Sequence, residues 1–127
     1  MQFIAVAVGG AIGATLRYVV SGAAYNQFGE SFPIGTLLVN IIGCFLIGFL
    51  AQLFEEIIVP PNMRLLILTG TLGAFTTFST YGLETVKLWQ DGEIRLAILD
   101  IVANNLTGIL FVVLGFILAR ALLAVVR

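Results

Sequence analysis

Stretches without charged side chains divide the sequence into four apolar segments. Residues 31–54, 65–83 and 101–119 contain no charge, and residues 2–29 contain only one, Arg17. A helix needs about 20 mostly apolar residues to cross the roughly 30 Å hydrocarbon core of a bilayer. Each segment is long enough for that, so the pattern predicts four transmembrane helices.

Short polar connections separate the predicted spans. Pro60 and Pro61 cannot continue a helix, so they divide the second span from the third. Gln90, Asp91 and Gly92 are typical of a turn before the fourth span, inside a polar connection over residues 87–95. The prediction is one domain, residues 1–127, with spans over residues 2–24, 33–54, 65–86 and 100–122.

The composition indicates a lipid environment. Hydrophobic residues make up 60% of the 127 residues and charged residues only 10%, with a mean hydropathy of +1.11. Soluble domains contain roughly a quarter charged residues, so we expect a multi-pass protein of the cell inner (plasma) membrane, in contact with membrane lipid. The net charge is −1 and the six Lys and Arg residues are scattered, which argues against a nucleic-acid partner.

Few side chains are available for covalent or metal chemistry. The chain has no histidine and one cysteine, Cys44, which excludes a Cys/His metal site, a Ser-His-Asp triad and an intrachain disulfide. The P-loop and GxGxxG motifs are absent from the sequence. We therefore predict that the chain is not an enzyme and that it binds or conducts ions through hydroxyl, amide, ring and backbone groups.

The positive charges give no clear membrane orientation. Cytoplasmic loops normally carry an excess of Lys and Arg. With four spans, one side of the membrane receives Arg64, Arg120 and Arg127, and the other receives Arg17, Lys87 and Arg95. Such a tie allows insertion in both directions, so two copies could pair about an axis in the membrane plane. We predict an antiparallel, dual-topology homodimer; the alternative is an accidental tie among six charges.

The third span is unusually polar for its depth. Residues 69–82 contain five Thr, one Ser and three Gly. Glycine weakens a helix and threonine competes for backbone hydrogen bonds, so we predict that this helix breaks near Gly73–Thr77. Broken backbone at membrane depth must face protein or a water-filled cavity, and its freed carbonyls can coordinate a cation. The alternative is a continuous helix whose hydroxyls bond to its own carbonyls.

Aromatic and hydroxyl side chains of this span are candidates for an anion path. Phe75, Phe78 and Tyr81 follow one another at a spacing of three residues, and an aromatic ring has a positive edge that an anion can approach. The hydroxyls of Thr77 and Ser79 lie in the same run. An aromatic stripe is otherwise typical of core or lipid-facing packing, but its place on a polar, broken helix favours a pore.

Amide side chains in the second and fourth spans could donate to the same path. Asn40, with Thr36 one turn before it, lies in an otherwise apolar span, and its NH₂ group can donate two hydrogen bonds. The alternative for Asn40 is a polar contact between helices. Asn104 and Asn105 differ by about 100° around the fourth helix, so we expect one of them to line the path and the other to bridge helices.

Charged and small residues near the first span complete the candidates. Arg17 either reaches the membrane interface or holds positive potential in an aqueous vestibule. Glu84, at the end of the third span, either pairs with Lys87 or marks the membrane edge. Gly9 and Gly13 form a GxxxG pair, which allows close contact between membrane helices.

Three motifs together resemble the Fluc (CrcB) fluoride channel family. They are Gly73-Ala74-Phe75-Thr76-Thr77-Phe78-Ser79-Thr80-Tyr81, Gly35-Thr36-Leu37-Leu38-Val39-Asn40 and Gly13-Ala14-Thr15-Leu16-Arg17-Tyr18. The resemblance covers nearly the whole chain, and the TTFST run with the upstream GTLxxN is its most specific part. It implies a dual-topology homodimer with two antiparallel pores that export fluoride passively.

The resemblance also implies roles for single residues. Phe78 would be the first ring of a pore-lining pair, with Asn40 as a hydrogen-bond donor beside it. A structural Na⁺ ion would lie at the dimer centre, held by backbone carbonyls of Gly73 and Thr76 from both subunits.

Further matches and departures concern the ends of the pore. Arg17 would match an arginine near the vestibule, and Glu84 the acidic residue that follows the aromatic motif. The second pore ring, usually Phe in the family, is Tyr81, and Ile101 stands about where family members often carry Tyr. Asn105 falls near a position where the family often places a pore-lining Ser, and it could supply the same donor.

Two other functions compete with this interpretation. A small multidrug-resistance-type transporter is also a four-helix antiparallel dimer, but it needs a carboxylate in its first span, where this chain carries Arg17 and no acid. A structural subunit of a larger membrane complex would explain the hydrophobicity but not the concentration of polar and aromatic residues in the third span.

Overall fold

The computed structural model describes residues 1–126 and folds them into helices joined by short connections. The helices are α1 (Gln2–Phe28), α2 (Ile34–Glu56), α3 (residues 61–75), α4 (Phe78–Gln90) and α5 (Ile94–Val126). Helices α1, α2 and α5 are each long and apolar enough to cross a membrane, and α3 with α4 forms the third predicted span. Arg127, which entered the charge count, lies outside the described residues.

The third span is broken near its middle, as predicted. Helix α3 consists of an initial turn, a π-helical segment and a final turn, which cover Pro61–Arg64, Leu65–Leu72 and Gly73–Phe75. The next two residues are extended: Thr76 has φ −82° and ψ 158°, and Thr77 has φ −149° and ψ 123°. The break therefore lies at the end of the predicted range, and the all-helical fold with an interrupted third helix is confirmed.

Helix α1 packs on the π-helical segment through its small residues. A Cβ atom added to Gly9 would collide with the Leu66 carbonyl, and one added to Gly13 would collide with the Thr71 carbonyl. The Thr71 hydroxyl donates to the Leu66 carbonyl at 2.9 Å, five residues earlier, which matches the spacing of a π-helix. The predicted close contact at Gly9 and Gly13 is confirmed.

Helices α2 and α5 run in the same direction and touch along their length. Gly48 faces the carbonyl of Val112, and Gly115 faces the carbonyl of Phe45, so close that a Cβ atom fits at neither glycine. Such small residues let membrane helices approach at backbone distance. This contact brings the two amide-bearing helices together.

The helices extend beyond each predicted span at one end or both. Helix α1 ends at Phe28 rather than at residue 24, and α5 begins at Ile94 rather than at residue 100. The connection between α4 and α5 shrinks to residues 91–93, where Gly92 has a φ of 80°. Most of the polar connection predicted over residues 87–95 is thus helical, and only residues 91–93 lie between the two helices.

We expect Gly9→Ala to lower the free energy of unfolding by about 1–3 kcal/mol, because the added methyl group meets backbone that cannot move aside. Gly10→Ala is the matched control, since no atom of the described chain outside its own helix lies within 4 Å of that Cβ position. The measurement is SDS-induced unfolding of the purified chain in mixed micelles. An equal loss of stability in both variants would contradict this packing.

Candidate functional site

Two cavities meet at the break in the third span. The ring cavity has a volume of about 210 Å³ and is lined by Asn40, Cys44, Thr76, Thr77, Phe78, Tyr81, Asn104 and Asn105. The arginine cavity has a volume of about 340 Å³, and its polar lining includes Arg17, Tyr25, Thr36, Thr77, Thr80 and Glu84. Thr77 lines both cavities, so the extended backbone forms the partition between them.

The Asn40 side chain holds this extended backbone. Its Oδ1 accepts a hydrogen bond from the Thr77 N–H at 2.8 Å, and its Nδ2 donates to the Thr77 carbonyl at 3.1 Å. A side-chain amide offers the same donor and acceptor as a peptide unit, so it can replace a backbone partner. Nδ2 also donates to Asn104 Oδ1 at 3.0 Å. Asn40 therefore makes the polar contact between helices, and both of its Nδ2 hydrogens are engaged.

Helix α4 starts with a side-chain cap. Thr77 Oγ1 accepts a hydrogen bond from the Thr80 N–H at 3.2 Å, which is the usual N-cap arrangement. Ser79 Oγ lies 3.3 Å from the same oxygen, but Ser79 is exposed and lines neither cavity. Of the two hydroxyls predicted for the ion path in the third span, Thr77 stands at the break and Ser79 stands outside both cavities.

The three aromatic residues do not form one stripe. Phe78 and Tyr81 lie in α4 with their ring centroids 5.3 Å apart and their planes at 73°, an edge-to-face pair. Phe75 precedes the break and is buried beside Gly43, where it does not line the ring cavity. The expected helical spacing fails because two extended residues separate Phe75 from Phe78. Within the ring pair, Phe78 is 80% exposed and Tyr81 only 8%.

Both amides of α5 line the ring cavity, contrary to the expectation that only one would. Asn104 Oδ1 accepts the hydrogen bond from Asn40 Nδ2. Asn105 Nδ2 donates to the Tyr81 hydroxyl at 3.0 Å and to the Ile101 carbonyl at 2.8 Å. The cavity reaches both side chains because α2 packs against one side of α5 and α4 against another.

Arg17 is half-buried in the wall of the arginine cavity. On the same wall the Tyr25 hydroxyl donates to Glu84 Oε1 at 2.7 Å and lies 3.3 Å from Thr36 Oγ1. Glu84 therefore has Tyr25 as its partner, whereas the sequence left open a pair with Lys87 or a place at the membrane edge. Thr36 is buried next to this group and belongs to the arginine cavity, although it lies one turn before Asn40.

Two backbone carbonyls lose their helical donors at the break. In a continuous helix the N–H of Thr77 would donate to the Gly73 carbonyl, and that of Thr80 to the Thr76 carbonyl. Here Thr77 donates to Asn40 and Thr80 donates to the Thr77 hydroxyl. The oxygens of Gly73 and Thr76, predicted from the resemblance as cation ligands, are thereby released from these two bonds.

Most of the chain matches one protein family. Residues 4–116 match the family model described as CrcB-like protein, Camphor Resistance (CrcB). The chain belongs to the CrcB family. The resemblance expected from its motifs is confirmed.

Similar CrcB family proteins carry a functional name. A protein of Magnetococcus marinus named fluoride-specific ion channel FluC is 48% identical over 94% of this chain and 98% of its own length. A protein of Aquifex aeolicus with the same name is 46% identical over 93% of this chain and 96% of its own length.

Asp100 is a buried polar residue of this CrcB family chain that the sequence analysis did not single out. It is fully buried in α5, where Oδ1 accepts from Asn104 Nδ2 at 2.8 Å and Oδ2 accepts from the Thr85 hydroxyl at 2.6 Å. The predicted span began at residue 100, and a carboxylate at a membrane boundary needs no buried partner. The available signal was its spacing of four residues from Asn104, which puts both side chains on one face of a helix.

Proposed function

We propose that the chain forms a fluoride-selective ion channel that exports cytoplasmic fluoride passively, down its electrochemical gradient. Its membership of the CrcB family and the names of its relatives support this proposal. The structural observation that carries it is the interrupted third span, whose extended residue Thr77 lines both the ring cavity and the arginine cavity. A membrane protein tolerates such a break only where it lines a path or is enclosed by protein.

The walls of the two cavities have the chemistry that a dehydrated anion needs. Arg17 attracts anions into the arginine cavity, and the ring pair of Phe78 and Tyr81 has positive edges. The Tyr81 hydroxyl accepts from Asn105 and keeps its own hydrogen for a passing acceptor. Asn40 has no spare hydrogen, so it donates to fluoride by exchanging its bond to Asn104.

Ion efflux from liposomes tests the channel proposal. The purified chain is reconstituted into vesicles loaded with potassium fluoride or potassium chloride, and valinomycin provides the counter-current. Ion-selective electrodes should record fluoride efflux without chloride efflux. Equal efflux of the two ions, or efflux of neither, would rule out a fluoride-selective channel.

In the same assay, Phe78→Ile should abolish fluoride efflux because it removes the positive ring edge from the cavity wall. Phe3→Ile is the matched control, since it makes the same exchange at a position of α1 that is 91% exposed. Gel filtration checks that the oligomer stays intact. Normal efflux through Phe78→Ile would remove this ring from the mechanism.

The proposal extends to an antiparallel, dual-topology homodimer in the cell inner membrane. The even distribution of Lys and Arg over the two sides supports it. Phe78 also supports it, because this ring lines the ring cavity yet is 80% exposed in one chain. A second copy would close the open side of that cavity.

A single cysteine in the connection after α1 tests the orientation. In a Cys44→Ala background, Glu30→Cys should be labelled in about half of the chains when a membrane-impermeant maleimide is added to intact spheroplasts, because the balanced charges allow both orientations. The other half should react only after permeabilisation. Labelling of all chains, or of none, in intact cells would contradict dual topology.

A structural Na⁺ ion between the two subunits is also part of the proposal. The released carbonyls of Gly73 and Thr76 are oxygen ligands of the kind that unwound membrane helices use for Na⁺. Both ligands are backbone atoms at the break, so the ion would help to hold the extended segment in place.

Sodium should raise the unfolding temperature of the detergent-solubilised protein, because a ligand that binds the folded state stabilises it by mass action. The measurement compares sodium, potassium and choline chloride at equal ionic strength, so that screening is the same in all three. A higher midpoint in sodium alone is the expected result. Identical midpoints in sodium and choline would argue against the site.

A further inference from the structure

A chain of hydrogen bonds leads from Asp100 to the broken backbone. Asp100 Oδ1 accepts from Asn104 Nδ2 at 2.8 Å, and Asn104 Oδ1 accepts from Asn40 Nδ2 at 3.0 Å. Asn40 then binds both backbone groups of Thr77. The Asp100 side chain is fully buried, so water does not compete for the first link.

The Asp100 side chain determines which way the Asn104 amide faces in this series of hydrogen bonds. Asp100 Oδ1 accepts one of the two Asn104 Nδ2 hydrogens, so the Asn104 NH₂ group faces Asp100 and Asn104 Oδ1 is left for Asn40. The Asp100 carbonyl takes the second Asn104 hydrogen at 3.1 Å. From the other end, Thr77 orients the Asn40 amide so that its NH₂ group faces Asn104. A reversed Asn104 amide would place one NH₂ group against another.

The second carboxylate oxygen ties α4 to α5. The Thr85 hydroxyl, one turn after Tyr81 in α4, donates to Asp100 Oδ2 at 2.6 Å and lies 2.9 Å from the Tyr81 carbonyl. Asp100 thus contacts the helix that carries the ring pair as well as the amide that meets Asn40. One buried side chain is therefore linked to both parts of the ring cavity wall, the part formed by Phe78 and Tyr81 and the part formed by Asn40 and Asn104.

We propose that Asp100 is a positioning residue for fluoride passage, which orients Asn104 and thereby holds the Asn40 amide on the Thr77 backbone. This inference rests on the proposed channel function. Asp100 lines neither the ring cavity nor the arginine cavity, so it acts through its neighbours rather than on the ion.

Fluoride efflux per amount of folded protein separates positioning from folding. Asp100→Leu removes both acceptor oxygens at similar size and should lower efflux about tenfold or more, because buried amides lose their fixed orientation. Asp100→Asn should stay within about threefold of the unchanged protein, since its Oδ1 accepts from Asn104 and its NH₂ donates to Thr85. Gel filtration gives the amount of folded protein in each sample.

Two further variants complete the experiment. Gln52→Leu is the control for the loss of a buried polar group in α2, because Gln52 Oε1 has no hydrogen-bond partner in the described chain. This variant should leave fluoride efflux unchanged. The double variant of Asp100→Leu with Asn104→Leu should lose no more efflux than either single variant, because both changes break the same chain of bonds.

Each outcome decides between the proposals. No fluoride efflux from the unchanged protein overturns the channel proposal. If the unchanged protein conducts fluoride and folded Asp100→Leu conducts it equally well, only the positioning role is overturned. The positioning role is also overturned if Asp100→Asn is as inactive as Asp100→Leu. If Asp100→Leu does not fold, Asp100→Ala also removes both acceptor oxygens and should lower efflux by the same roughly tenfold or more; unchanged efflux per folded protein there would also overturn the positioning role.

Discussion

Peptide groups at membrane depth need hydrogen-bond partners, and at the break in the third span a side chain meets that need. Asn40 binds the N–H and the carbonyl of Thr77, which a continuous helix would have paired internally. An unpaired backbone group in hydrocarbon costs several kcal/mol. The extended stretch, the two cavities beside it and the released carbonyls of Gly73 and Thr76 therefore all depend on this one amide.

The rest of the fold brings that amide to its target. Glycines let α1 sit directly on the π-helical segment and let α2 lie against α5. Because α2 and α5 are parallel and close, Asn40 and Asn104 face each other at the level of the break. Thr77 then caps α4 with its own hydroxyl. The local sequence of the third span and the packing of the neighbouring helices thus both favour a break at the same residues.

The sequence predicted the features that depend on composition and missed those that depend on exact helix limits. The break was predictable because glycine and threonine are concentrated inside an apolar span. The position of Phe75 was not, because a shift of the break by a few residues decides which rings share a helix. Asp100 was missed since its burial depends on α5 starting at Ile94. Packing of neighbouring helices, rather than local propensity, sets those limits.

The fit between Asn40 and Thr77 has a consequence for how the protein tolerates sequence drift. Aspartate at position 40 has the right length but lacks the hydrogen that the Thr77 carbonyl needs. Glutamine has the right groups but is longer by one methylene, about 1.5 Å. Exposed positions of the single chain, such as Ile98 and Leu106, make no comparable hydrogen bonds and can exchange among apolar residues. Position 40 should accept no replacement, even where most of its helix has diverged.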